Sequence, residues 1–323
     1  VERYAARMRT VLARIAATYG DAIGDTAATA TPRAFNAWLR SAAAHNFTRV
    51  PLYARTEADL LRFVRDRIMR VMAHLPATFA ALPRCPLAVV PVPAAVAASA
   101  PFAYMMEGNS ACTRAGSYYI NTHNLAERPL YVLPSTSLHE ALPGHHLQLQ
   151  LQAELTNVSR MRAAATGAAG ATAFVEGWAL YAESLGELFG DDIYDNDIYL
   201  FGRLGDAMLR AVRLVLDVAL HWNAMPVDDA VQYMLDNTPM SREDSESEVL
   251  RYVADPGQAL AYAVGAERIA SLRDYARRTL GAERFSLRDF HSHAVLAQGA
   301  MPLALLEKQV HAWVREQQQQ QQQ

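Results

Sequence analysis

The sequence is first informative for what it lacks. No stretch of eighteen or more apolar residues runs free of charge, so no helix is expected to span a bilayer and the chain is expected to be soluble. No run of Lys or Arg occurs, and a formal net charge of −3 offers no electrostatic attraction to nucleic acid or to an anionic membrane. Only two cysteines are present, Cys85 and Cys112, in unrelated contexts. They match no metal-ligand spacing and no disulfide framework, and they read as two free, small apolar residues, with a single bridge as the alternative. The compartment is therefore left open. There is no internal repeat, no flexible interdomain linker, and neither a Met nor a signal peptide at Val1. The expectation is a chain whose leader has been removed, or a fragment of something longer.

What is present is ordinary globular composition, 51% hydrophobic and 20% charged, over a length able to bury a large core. Tyr4, Met8, Leu12, Ile15 and Tyr19 recur at helical spacing, as do Leu61, Val64, Ile68, Val71 and Leu75, with Pro76 bending or ending the second helix. Residues 82–102 hold several prolines and the pair Val89-Val90, which suits a connector with at most a short strand. Residues 117–121 read as a second strand. Helices are expected at about 136–155, 171–189, 194–222, 227–237, 241–254, 257–280, 287–297 and 302–316, separated by Gly, Pro and Asp turns. The expected fold is mostly α: one multi-helix domain over 1–316, with a small β element near residues 87–121. Gln317 to Gln323 form a low-complexity tail left out of fold reasoning.

The chemistry concentrates in His139-Glu140-Ala141-Leu142-Pro143-Gly144-His145-His146. A helical zinc site usually places two His four residues apart with a Glu beside the first, but Pro143 stands where the second His belongs. His139 and His145 are about 600° apart around an ideal helix, and His139 and His146 about 10.5 Å apart in rise, so neither pair meets one ion on a regular helix. Pro removes an N–H and Gly tolerates unusual dihedrals, so a bulge at Pro143-Gly144 that absorbs two residues restores the four-residue register for His139 and His145. His146 then becomes a neighbour that packs or hydrogen-bonds behind the ligands. A helix start with chance histidines is the alternative, but an apolar surround makes unpaired imidazoles and a carboxylate costly.

A third ligand of the carboxylate type is expected on a nearby helix. Glu176, among Phe174, Gly177 and Trp178, is the candidate, with Glu183 on the same face as support; a solvated acidic stripe is the alternative. On the helix 194–222, Arg213, Asp217 and His221 follow i,i+4 spacing. Asp217 is expected either to orient His221 toward an oxyanion or to sit in an internal ion-pair network.

These motifs together resemble the bacterial family called domain of unknown function 885, grouped with the gluzincin-like metallopeptidases. The resemblance rests on residues 139–148, on Phe174 to Glu183 and on Arg213 to His221. It continues through Asn237-Thr238-Pro239-Met240, Arg251-Tyr252, Pro256 to Tyr262, Gly299 to Leu303, and the upstream Gly116 to Thr122. It implies zinc held by His139, His145 and Glu176, with Glu140 as general base for water attack on a peptide bond. It suggests Tyr262 and His221 as donors to the oxyanion. Arg251, near Gln258, would bind a substrate carboxylate, as in a carboxypeptidase acting on short peptides, with a helix-packing network as the alternative. The strand holding Tyr119 and Asn121 would pair with an extended peptide. Another zinc amidohydrolase chemistry on a non-peptide amide, or a truncated, non-catalytic remnant, are the rival expectations.

Overall fold

The computed structural model describes residues 1–156, 158, 162, 171–240 and 242–320. They form two compact units, each stitched from three segments: residues 1–64, 122–135 and 190–260 in the first, and 65–121, 136–189 and 261–323 in the second. Because every segment returns to its own unit after a visit to the other, no linker marks a boundary. The local composition that signals domain edges has nothing to act on here.

The first unit is built on two long amphipathic helices, α1 (Glu2–Ile23) and a later partner, α9 (Asp197–His221). The stripe Met8, Leu12 and Ile15 is buried, and Ile198, Phe201, Leu204 and Met208 supply the core face of α9. Arg14 donates to Asp197 at 2.6 Å along the seam. Between them come α2 (Pro32–Leu39), whose Thr31 caps the N-terminus, the short α3 (Ala42–His45), and the first turns of α4 (Glu57–Thr78). Phe35 meets Phe201 edge-on at 4.9 Å. Helices α10 (Val227–Asn237) and α11 (Arg242–Ala254) complete this unit.

The second unit holds the rest of α4, where Ile68, Val71 and Leu75 are buried as the periodicity requires. Pro76 lies in the last turn rather than ending the helix. The β element is a three-stranded sheet of order β1-β3-β2, formed by β1 (Leu87–Pro91), β2 (Ala103–Met106) and β3 (Gly116–Ile120). β1 runs parallel and β2 antiparallel to β3. β2 escaped the sequence reading because Ala-Tyr-Met-Met is short and poor in β-branched residues. The short α5 (Ala94–Ala97) connects β1 to β2. Helices α6 (Leu133–Glu140), α7 (His145–Glu154), α8 (Thr172–Leu185) and α12 (Gln258–Leu280) follow. Then come the one-turn α13 (Leu287–Asp289), continued as a π-helical turn over Phe290–Val295, and α14 (Leu303–Gln319).

Two expectations are corrected. Cys85 and Cys112 are bonded in a disulfide, their Cα atoms 5.1 Å apart, rather than free. Their separation in sequence hid a pairing made by β1 and the β2–β3 connection. The glutamine tail also takes part in the fold, since Gln317 to Gln319 extend α14 and glutamine propagates a helix well. The end of the tail, residues 321–323, lies outside the described residues.

Candidate metal centre

Helix α6 ends at Glu140 and α7 begins at His145, with residues 141–144 forming a turn between them. The helix is thus broken where a bulge was expected. Pro143 cannot supply an N–H to continue it. Gly144 lies against the carbonyl of His139, where any Cβ would collide with the oxygen. The break brings the His139 and His145 rings to 4.8 Å between centroids, edge to face. Trp178 of α8 donates its indole N–H to the Pro143 carbonyl at 2.9 Å, which ties the turn to the helix that carries Glu176.

Glu176 faces both imidazoles. Its Oε2 is 3.6 Å from His139 Nε2 and 3.4 Å from His145 Nε2, and one ligand atom from each residue lies within 4.8 Å of the others. These spacings exceed the roughly 2.7–3.2 Å of a good hydrogen bond. They suit atoms that share a cation: ligands at about 2.0–2.1 Å from one tetrahedral ion stand roughly 3.3–3.4 Å apart. Two imidazoles and one carboxylate are also the donor set that leaves a tetrahedral site one open position.

The surroundings prepare these donors. Glu183, one face-repeat along α8 from Glu176, accepts from His139 Nδ1 at 2.8 Å, and both side chains are buried. That bond orients the His139 ring so that its Nε2 faces the cluster. Burial alone would disfavour a charge on His139, but Glu176 and Glu183 outweigh it and lift its pKa to about 10. Burial likewise opposes ionisation of Glu176, and the two imidazoles reverse this, holding its carboxyl well below the usual range. Glu140 is half-buried and acts electrostatically on His139. The Tyr262 ring stacks near His139, centroids 6.2 Å apart. His146 turns to the carbonyl of Cys85, at 3.2 Å, and burial pushes its pKa down to about 4, so it stays a neutral donor fastening α7 to the disulfide segment. Glu107, which the sequence reading passed over, follows β2; burial raises its carboxyl pKa, and the charges of His145 and Arg114 oppose that rise.

The remaining candidates have other partners. β3 is the central strand, with both edges taken, so it offers no edge to a peptide. Asn121 is buried and donates to the carbonyls of Ala97 and Ala100, while Tyr119 stacks on Tyr104 at 4.9 Å. In the first unit, Asp217 accepts the N–H of Gly257 with both oxygens instead of orienting His221, whose Nε2 bonds the Tyr252 carbonyl at 3.0 Å. Arg251 turns Nε and Nη2 to the two carboxylate oxygens of Glu248 and Nη1 to Gln258. Glu248 also takes Arg213 and the Tyr252 hydroxyl. The fork of Arg251 that a substrate carboxylate would need is already engaged.

Among the described residues, no helix is long and apolar enough to cross a membrane. A crystal structure of a protein from Colwellia psychrerythraea, provisionally named a lipoprotein, superimposes with a TM-score of 0.83 at 32% identity. It covers 97% of this chain and 51% of its own. A second, a provisionally named lipoprotein of unknown function from Shewanella oneidensis, gives a TM-score of 0.74 at 20% identity over 95% of this chain and 54% of its own, a likeness of fold. The chain thus spans about half the length of each. No curated protein matches it. The family described as "Bacterial protein of unknown function (DUF885)" matches residues 1–310.

Proposed function

The chain belongs to the bacterial DUF885 family, and we propose that this member is a zinc-dependent hydrolase that cleaves peptide bonds with an activated water. The observation that carries the reading is the convergence of His139, His145 and Glu176, with Glu176 Oε2 at 3.6 and 3.4 Å from the two Nε2 atoms, near the spacing of ligands to one ion. His139, His145 and Glu176 would hold a zinc ion, which would supply Lewis-acid polarisation of the scissile carbonyl and make a nearby water more acidic. Glu140 accepts the proton of the attacking water and delivers it to the leaving amine. Glu183 keeps His139 oriented through its Nδ1–H, and Tyr262, whose ring lies 6.2 Å from that of His139, would donate its hydroxyl to the developing oxyanion. The Cys85–Cys112 bridge supports a periplasmic or extracellular setting, since such bonds persist in oxidising compartments.

The test is metal analysis of the purified chain followed by peptide hydrolysis. Near-stoichiometric zinc is expected, with hydrolysis falling by about a hundredfold or more in Glu140→Gln while zinc is retained. Absence of zinc with His139 and His145 intact would overturn the reading. Unchanged hydrolysis in Glu140→Gln would remove Glu140 from its role.

A further inference from the structure

Next to the metal turn lies a cavity of about 580 Å³, within the roughly 300–1,000 Å³ of small-molecule sites. One wall is α4, which contributes side chains from Arg65 to Leu75, about 15 Å of helix. The facing wall is the segment 82–89, stiffened by Pro83, Pro86 and the disulfide at Cys85. Leu142 and His146 complete the lining. They bracket the Pro143-Gly144 turn and His145, but none of His139, His145 and Glu176 lines the cavity, so it is separate from the metal cluster.

Most of this cavity is apolar and open to solvent. Met69, Met72 and Leu82 around it are 64%, 47% and 42% exposed. Single exposed apolar residues are ordinary, but several about one cavity form the contiguous patch that marks a binding groove. The unbranched side chains of Met69 and Met72 can mould to a flexible ligand. Charge sits at one end. Arg65 is exposed there, gives one N–H to the Val89 carbonyl at 3.0 Å, and has no acidic partner among the described residues. Arg84 on the facing wall is already held by Glu154, whose carboxylate accepts its Nε–H at 3.1 Å. Among the described residues no acidic side chain lines the cavity. At the far end come Leu75 and, past the end of α4, Leu82. The groove therefore offers a guanidinium at one end and an apolar wall along the rest of its length.

We propose that this groove binds a free fatty-acid carboxylate, its head on Arg65 and its chain along α4 toward Leu82. The carboxylate accepts the guanidinium N–H groups that Val89 leaves over, as charge-assisted hydrogen bonds. A cationic amphiphile would meet Arg65 with no acid to balance it. A peptide would bring backbone N–H groups for which the lining side chains offer no carboxylate, amide or hydroxyl acceptor. The assignment depends neither on zinc nor on the peptidase reading.

The experiment is calorimetric titration of the full chain without added zinc, with each amphiphile below its micelle concentration. Decanoate is compared with decanol and decyltrimethylammonium, which share its chain, and with an apolar peptide blocked at both ends. Decanoate is expected to saturate at an equimolar ratio and to bind about tenfold or more tightly than decanol, with the cation no tighter than the alcohol. Arg65→Gln should abolish the advantage of decanoate while decanol binding and thermal unfolding stay unchanged. Met72→Trp, at an exposed position, should obstruct the groove and weaken both ligands. Equal affinity for decanoate and decanol, or a decanoate preference that survives Arg65→Gln, would overturn the proposal. Undiminished decanoate binding in Met72→Trp, unsaturable uptake, no binding at all, or tighter binding of the peptide than of decanoate would overturn it too.

Discussion

At the scale of single residues, the two acidic side chains of α8 differ in what they do for His139, and their substitutions should separate. Glu176→Gln removes a charged donor, whereas Glu183→Gln keeps an oxygen able to accept from Nδ1. The larger loss of zinc affinity is therefore expected in Glu176→Gln, with about a 10–100-fold loss for Glu183→Gln, measured by competition with a chelator; the reverse order would exchange their roles. Acid sensitivity comes from elsewhere. His291 is fully buried, accepts from the Tyr181 hydroxyl at 2.9 Å and donates to the Thr78 carbonyl at 3.1 Å, and burial pushes its pKa down to about 3. The unfolded chain takes up this proton once pH falls below about 6.5, so the stability it contributes is full above that pH and is lost as pH falls toward 3. Glu248, pulled to about 2 against burial by Arg213 and Arg251, adds a loss that begins below its ordinary 4.5. The melting temperature should fall steadily from about pH 7 to about pH 4. A flat profile would mean that these groups titrate alike in the folded and unfolded chain.

At the scale of elements, two glycines decide how close the pieces of the site approach. A Cβ on Gly177 would collide with the Cα of Gly265, and one on Gly265 with the Ala173 carbonyl, so α8 and α12 cross with their backbones nearly touching. Gly265→Ala should cost about 1–3 kcal/mol in denaturant unfolding, since backbone rather than a flexible side chain must give way. Gly144→Ala should act more locally, lowering zinc content by forcing apart His139 and His145 while far-ultraviolet dichroism is retained. Zinc content equal to that of the unmodified chain would show that the turn has slack. The same elements show what the sequence could and could not reveal. Helices α10, α11 and α12 were legible to within a residue or so because Pro, Asp and Gly close their ends. The His139–His145 pairing was legible because Pro143 and Gly144 leave a helix few alternatives. The central position of β3 was not, because strand order depends on β2, whose four residues carry almost no β signal.

At the scale of the whole molecule, the disulfide is the one covalent tie between segments, closing a sequence separation of 27 residues in the second unit. By loop-closure entropy its reduction should remove about 3–4 kcal/mol from the stability of that unit. Equilibrium unfolding with and without reductant measures this, and coincident curves would show that the bridge is dispensable. The interleaving of the two units has a consequence for synthesis. A chain emerging from its N-terminus at about 5–20 residues per second cannot finish either unit early. The first lacks α9, α10 and α11 until residue 260 has emerged, and the second lacks α12 and α14 until the segment from residue 261 follows. Cys85 and Cys112 have both emerged long before either event. In an oxidising compartment the bridge can therefore close on a nascent, unpacked chain, fixing the loop of Glu107 before the helix that bears Glu176 has been made.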